Sequence, residues 1–146
     1  MKITESTFSR VRKLLAEKKR KIKYRKEFKS SAVALINNCF EGEYHLLFTL
    51  RSDKVKYHQG QISFPGGARD RGERLLKCAI RETEEELNIS LSEEESIGKI
   101  DDILTISGFR VTPFIFFTGK RDILSNICPN EEIAEVINIP LNFLLN

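Results

Sequence analysis

The segment from Gly72 to Leu87, GERLLKCAIRETEEEL, most narrows what this 146-residue chain can become. Each helical residue advances about 100°, so with Glu82 at zero, Glu86 lies at about +40° and Glu85 at about −60°. Leu76, Ala79, Ile80, Thr83 and Leu87 make a second face centred about 115° away. The apolar face needs a packing partner and the acidic face needs cations. Like charges at these spacings cost a helix roughly 0.2–0.5 kcal/mol per pair, and acids near a helix C-terminus also oppose its dipole. Carboxylates at i, i+3 and i+4 can converge on a hard divalent ion, and Mg²⁺ is usually held by one or two carboxylates together with waters and phosphate oxygens. Glu84, at about 200°, points elsewhere and is assigned to solvent or an ion pair. Taken alone, these glutamates fit a solvated acidic face equally well.

Around this helix the pattern alternates between strands and turns. Residues 4 to about 20 read as a helix capped by Thr4 or Ser6, with Phe8, Val11, Leu14 and Leu15 at helical spacing. SAVALIN and YHLLFTLR read as a hairpin joined by CFEGE, and QISF as a short strand ended by Pro65-Gly66-Gly67. Asn88 serves as a left-handed helix terminator. SIGKIDDILT and RVTPFIFFTG read as two more strands, Pro113 marking an edge or bulge in the second. EEIAEVINIP fits a strand or a short helix, and LNFLLN a last helical turn. The fold class is α+β, a mixed sheet packed against helices.

Charge divides the chain. Residues 1–29 hold 12 of the 24 Lys and Arg with three acids, whereas the remaining 117 residues carry 12 bases against 18 acids. We therefore divide it into a basic N-terminal helix and linker, 1–29, and a more acidic domain, 30–146. The run Lys18 to Lys29 could address nucleic acid or an acidic membrane surface, but offers only Tyr24 and Phe28 for base stacking, which favours a solvated segment over a nucleic-acid partner. No apolar run approaches the ~20 residues of a membrane span, and MKITESTFSR lacks a secretory apolar stretch, so the expected location is cytoplasmic. Cys39, Cys78 and Cys128 have no C-x-x-C spacing and are expected as buried thiols.

Gly67, Glu73, Arg81, Glu82, Glu85, Glu86 and Ile89 match the Nudix hydrolase box G-x5-E-x7-R-E-U-x-E-E-x-G-U, U being aliphatic. Thr83 and Asn88 depart from it; threonine keeps the size of valine and asparagine tolerates the left-handed conformation. The resemblance implies the Nudix α/β/α sandwich and hydrolysis of a nucleoside diphosphate linked to another moiety. It implies that Glu82, Glu85 and Glu86 hold Mg²⁺ or Mn²⁺, that Glu82 and Glu85 serve catalysis, and that Glu73 and Arg81 form a positioning ion pair. Metals suit this reaction because they neutralise phosphate charge and acidify the attacking water.

Upstream, LFTLRSDKVKYHQGQISFPGG resembles the coenzyme A pyrophosphatase signature L-L-T-x-R-(S/A)-x3-R-x3-G-x3-F-P-G-G. Leu47, Thr49, Arg51, Ser52, Gly60, Phe64, Pro65, Gly66 and Gly67 match in register, while Phe48 and Lys56 depart. Lysine keeps the charge but not the bidentate fork of arginine. The resemblance implies a small-molecule substrate like coenzyme A, met by Arg51, Lys56, Gly60, Gly66 and Gly67. His58 is not fixed by the signature. Glu131 or Glu132 is a further candidate for metal binding or water activation. The sequence ends with IPLNFLLN, which could open the pocket or leave an interface for a homodimer. Rival expectations are a pyrophosphatase acting on another nucleoside diphosphate derivative or a nucleoside triphosphate, and a nucleic-acid or membrane-surface binding module using the basic arm.

Overall fold

The two apolar stretches form β1 (Lys29–Phe40) and β2 (Glu43–Arg51), an antiparallel hairpin turning at Glu41 and Gly42, in a computed structural model that describes residues 2–146. The two strands pair with each other only near the tip, from Asn37 opposite Leu46 to Phe40 opposite Glu43. Below that they part, and the following segment enters the wedge: β3 (Ile62–Ser63) pairs with β2, and β4 (Gly66–Ala68) pairs with β1. Gly66 and Gly67, read from local sequence as part of a chain break after QISF, thus belong to a strand. A Cβ on Gly66 would run into the Ala32 carbonyl and the Val33 backbone, so the side-chain-free backbone is what lets β4 approach β1 here.

β7 (Phe109–Phe117) runs parallel to β1 from Lys29 opposite Phe109 to Asn37 opposite Phe117, while the other pairings are antiparallel. This makes the sheet mixed, as expected. β8 (Ile133–Pro140), left open between strand and helix by its sequence, lies against β2, and α3 (Leu141–Leu144) follows it.

SIGKIDDILT is two strands rather than one, β5 (Ser96–Lys99) and β6 (Ile103–Leu104), both on β7. The interruption is Asp102, whose carboxylate turns inward to Arg20, Arg110 and Thr112. Pro113 sits opposite that gap: its carbonyl accepts the Ile100 N–H at 3.1 Å, so its nitrogen faces the side where β5 has ended and β6 has not begun. A proline therefore stands inside the sheet without an orphaned partner.

Helices cover both faces. α2 (Leu75–Leu87) packs Cys78, Ala79 and Leu87 onto Ala32, Ala34, Ile36, Phe114 and Phe116, the alternate positions of β1 and β7. Leu76 and Ile80 of the expected apolar face are only partly buried at its margin. α1 (Glu5–Glu17) lies on the opposite face, where Phe8 stacks on Phe117 with ring centroids 4.2 Å apart. Its cap is Thr4, whose N–H donates to Thr7 Oγ1 at 3.0 Å.

α2 begins three residues later than its sequence pattern suggests, because Glu73 is engaged outside it, accepting the Asp70 N–H and binding Arg81. It ends as expected at Asn88, in the left-handed conformation with φ 60. Of the cysteines only Cys78 is buried; Cys39 is half-buried and Cys128 exposed, which corrects the expectation for both. No helix among the described residues is long and apolar enough to cross a membrane.

Candidate active site

α2 presents its acidic flank to β4, and Arg81 organises the contact. Its guanidinium donates to both Glu73 oxygens at 2.8 and 3.0 Å, to Glu82 Oε1 at 3.0 Å, to Glu85 Oε2 at 3.1 Å and to the Ala68 carbonyl at 3.2 Å. The repulsion anticipated among the glutamates is therefore relieved partly by an arginine of the same helix. The hydrogen bond from Arg81 holds the Glu73 carboxyl below its usual range, although burial opposes it. Glu73 does not line the cleft; the ion pair with Arg81 that the resemblance implied is formed outside it.

Glu86 stands apart from this cluster. It is only 1% exposed, and its Oε1 accepts the Gly66 N–H at 2.9 Å. Burial first, then the charges of Glu82 and Glu132, push its carboxyl up to about 8 against the opposing Gly66 hydrogen bond and the nearby Arg51. Glu82 is likewise raised by burial, against the pull of Arg81 and with added repulsion from Glu85 and Glu132. Sequence periodicity put Glu86 on the acidic face; the structure puts it at the seam between that face and the core. Thr83, the departure from an aliphatic residue, is fully buried and donates to the Ala79 carbonyl at 2.8 Å.

The glycine pair sets the distance between helix and strand. A Cβ on Gly67 would come within 2.6 Å of the Glu82 carboxylate. The buried Cys78 thiol donates to the Gly67 carbonyl at 3.4 Å, and burial pushes its pKa up to about 12, so it stays protonated.

Glu82, Gly66 and Gly67 form the inner end of a cleft of about 680 Å³. Arg51, Lys56 and Glu132 line it too, so residues from both motifs meet at one opening, whereas Glu73, Arg81, Glu85 and Glu86 lie outside its lining. Arg51 Nε donates to the Tyr57 carbonyl at 3.2 Å, and Lys56 Nζ lies 5.4 Å from the Tyr57 ring centroid. Gly60 does not line the cleft, a correction to its expected role: its N–H donates to the Arg51 carbonyl at 3.0 Å and its positive φ of 71 closes the loop. His58 faces the turn before β7, with Nε2 2.8 Å from Ser107 Oγ. Ser52 fixes the start of β8, its N–H donating to the Glu132 carbonyl at 2.8 Å and its hydroxyl to that of Glu131 at 2.6 Å, and only Glu132 reaches the cleft.

Lys29, Tyr57 and Phe109 also line the cleft and were not anticipated as site residues. Lys29 was counted with a solvated linker; the available signal was its phase, since Lys29, Ser31 and Val33 alternate along β1 and share a face. That linker is itself fastened by Asp101 and Asp102, which accept the Lys21 and Lys23 N–H groups at 2.9 and 3.1 Å.

Glu82, Glu85 and Glu86 do not close on a point: among the described residues no three acidic, histidine or cysteine side chains form a ready-made metal cage. The donor set still fits a hard divalent cation. It consists of carboxylate oxygens, Glu82 and Glu86 are crowded by each other and by Glu132, and Mg²⁺ needs only one or two carboxylates when water and phosphate complete its shell.

The family model for the NUDIX domain matches residues 28–142. The Uncharacterized Nudix hydrolase NudL of Pectobacterium atrosepticum is 36% identical over 99 residues, 66% of this chain and 50% of that protein. Nudix hydrolase 3 of Caenorhabditis elegans is 32% identical over 107 residues, 72% of this chain and 45% of that protein. The chain thus spans about half the length of the curated relatives it matches. Among solved structures, the MutT protein from Methanosarcina mazei Go1 superposes with a TM-score of 0.64 at 24% identity, covering 84% of each chain. A C. elegans Ap4A hydrolase binary complex gives 0.61 at 20% identity, covering 79% of this chain and 83% of that one. At such identities the likeness shows the fold.

Proposed function

Since this chain belongs to the NUDIX domain family, we propose that it is a metal-dependent hydrolase that cleaves the diphosphate of coenzyme A or its derivatives. The products are 3′,5′-ADP and 4′-phosphopantetheine or its acyl form. The observation that carries this reading is the convergence of both motifs on one cleft, with Glu82 and the glycine pair at one end and Arg51 and Lys56 on the wall.

Glu82 and Glu86 would hold Mg²⁺ or Mn²⁺, with Glu85 at the rim. When bound, the metal supplies charge neutralisation and an acidified water. The chain's own residues do the rest. Arg81, clamped by Glu73, keeps Glu82 and Glu85 oriented through hydrogen bonds of 3.0 and 3.1 Å. Arg51 and Lys56 offer positive charge to phosphate oxygens. The 2.9 Å bond from Gly66 fixes Glu86 in its buried orientation. Glu132, rather than Glu131, would accept a proton from water at the opening, a role supported by its lining the cleft with Glu82 while Glu131 does not.

The test is incubation with coenzyme A, dGTP, ADP-ribose and diadenosine polyphosphates over a range of Mg²⁺ and Mn²⁺, with products resolved chromatographically and Glu86→Gln as control. Metal-dependent release of 3′,5′-ADP and 4′-phosphopantetheine, lost in the variant, is expected. Turnover of another member of the panel in place of coenzyme A would retain the hydrolase and discard the substrate.

A further inference from the structure

The cleft has two chemically opposite ends, and β1 measures the distance between them. Val33 pairs with Gly66, whose N–H holds Glu86, so it marks the glutamate end. Lys29 lies on the same face four residues away, roughly 13 Å at about 3.3 Å per residue. It is fixed there by its own N–H, which donates to the Gly108 carbonyl at 2.9 Å, and by its register opposite Phe109. The Phe109 ring meets Tyr57 edge-on with centroids 5.4 Å apart, and Lys56 Nζ lies 5.4 Å from the Tyr57 ring centroid. The outer end is therefore an aromatic pair adjoined by two lysines. Among the described residues, none of the four Lys and Arg side chains that line the cleft, Lys29, Arg51, Lys54 and Lys56, has a carboxylate partner, and of these Lys29 and Lys56 are the two at the aromatic pair.

Building on the reading above, in which a diphosphate occupies the glutamate end, we infer that Lys29 with Lys56 forms a second anion subsite. It reads a phosphomonoester carried on the same substrate, separated from the scissile diphosphate by a span such as a ribose. A diphosphate alone leaves the outer lysines without a counter-charge, while a substrate charged at both ends pairs with the whole length of the cleft. Lys29 is then a specificity-determining residue: it contacts substrate remote from the reacting phosphorus and contributes to binding rather than to the chemical step.

Two nucleotides that differ only in this group, 3′,5′-ADP and 5′-AMP, give a readout independent of turnover. Calorimetry with the wild type should show 3′,5′-ADP bound about tenfold more tightly, equivalent to about 1.4 kcal/mol. In Lys29→Ala that preference should collapse towards unity through weaker 3′,5′-ADP binding, with 5′-AMP unchanged, and Lys29→Arg should retain most of it. In parallel, Lys29→Ala should raise KM for coenzyme A and leave both its kcat and the kinetics of 3′-dephospho-coenzyme A unaltered. Equal binding of the two nucleotides by the wild type, or an equal loss of both in Lys29→Ala, would overturn the subsite. Absence of metal-dependent coenzyme A cleavage would sink the proposed substrate instead, with the nucleotide binding ratio still deciding on Lys29.

Discussion

Glu86 joins two properties that ordinarily exclude each other, a carboxylate and near-complete burial. A buried charge is retained only where a partner compensates it, and here the direct donor is a single backbone N–H. Replacing it with the isosteric neutral side chain, Glu86→Gln, keeps the Gly66 hydrogen bond and removes an ionisable carboxyl that burial has already pushed up to about 8. The metal-free variant should melt at the same temperature as the wild type or a few degrees higher, while kcat falls by on the order of 10²–10³-fold. A clearly lower Tm in differential scanning calorimetry would mean that the ionised form is held by the fold itself. The adjacent glycines separate the same two roles. At Gly66 an added Cβ meets backbone of β1, which cannot retreat, so Gly66→Ala should cost about 1–3 kcal/mol in urea unfolding. At Gly67 the obstacle is the flexible end of Glu82, so Gly67→Ala should unfold near the wild-type midpoint and lose activity as that carboxylate is displaced.

At the scale of elements, what was legible in the sequence is what is locally determined. The end of α2 could be read because Asn88 adopts φ 60 by its own chemistry, and the hairpin because its two halves are adjacent. β4 could not, since Gly66–Ala68 is a strand only through pairing with Ser31–Val33, more than thirty residues earlier in the chain. The acidic flank of α2 was legible from spacing, but the arginine clamp that separates Glu82 and Glu85 from Glu86 depends on side-chain direction, which spacing does not encode. The break between β5 and β6 has the same origin: Asp102 is drawn inward by Arg20, distant in sequence. Burial pushes the Asp102 carboxyl upward, yet hydrogen bonds from Thr112, Arg20 and the Lys23 N–H bring it below its usual value. A lowered folded-state pKa contributes stability that is present above the unfolded value of about 4 and is lost as pH falls through the folded one. Asp102→Asn should therefore cost about 3–5 kcal/mol at neutral pH, by leaving Arg110 buried without its partner. The difference from wild type should shrink below about pH 4, which urea titrations at several pH values would measure. A gap that stays constant to pH 2 would show that packing, and not the charge, is what Asp102 contributes.

Across the whole molecule, β1 packs under a helix at one end and lines the cleft at the other. Its N-terminal half, from Lys29 to Val33, floors the cleft and meets β4. Its C-terminal half lies beneath α1, where Phe8 stacks on Phe117 and meets Tyr44 edge-on at 5.1 Å. Gly98 of β5 accommodates the same helix, since a Cβ there would press on Leu15. None of the residues around Phe8 lines the cleft, and the sheet between the two regions is continuously hydrogen-bonded to β7. Loss of the α1 contact should consequently lower global stability without distorting the glutamate end. Phe8→Ala removes a ring that is 6% exposed and should cost about 3–5 kcal/mol, equivalent at 1 kcal/mol per about 2–4 °C to a fall in Tm of roughly 6–20 °C. At temperatures well below that lowered transition, kcat/KM for the substrate identified in the panel should stay within about twofold of wild type, a free-energy change of only about 0.4 kcal/mol. A proportionate loss of kcat/KM in fully folded Phe8→Ala would mean instead that α1 sets the spacing of β1 and β7 at the cleft, and that the two ends of the sheet are mechanically coupled.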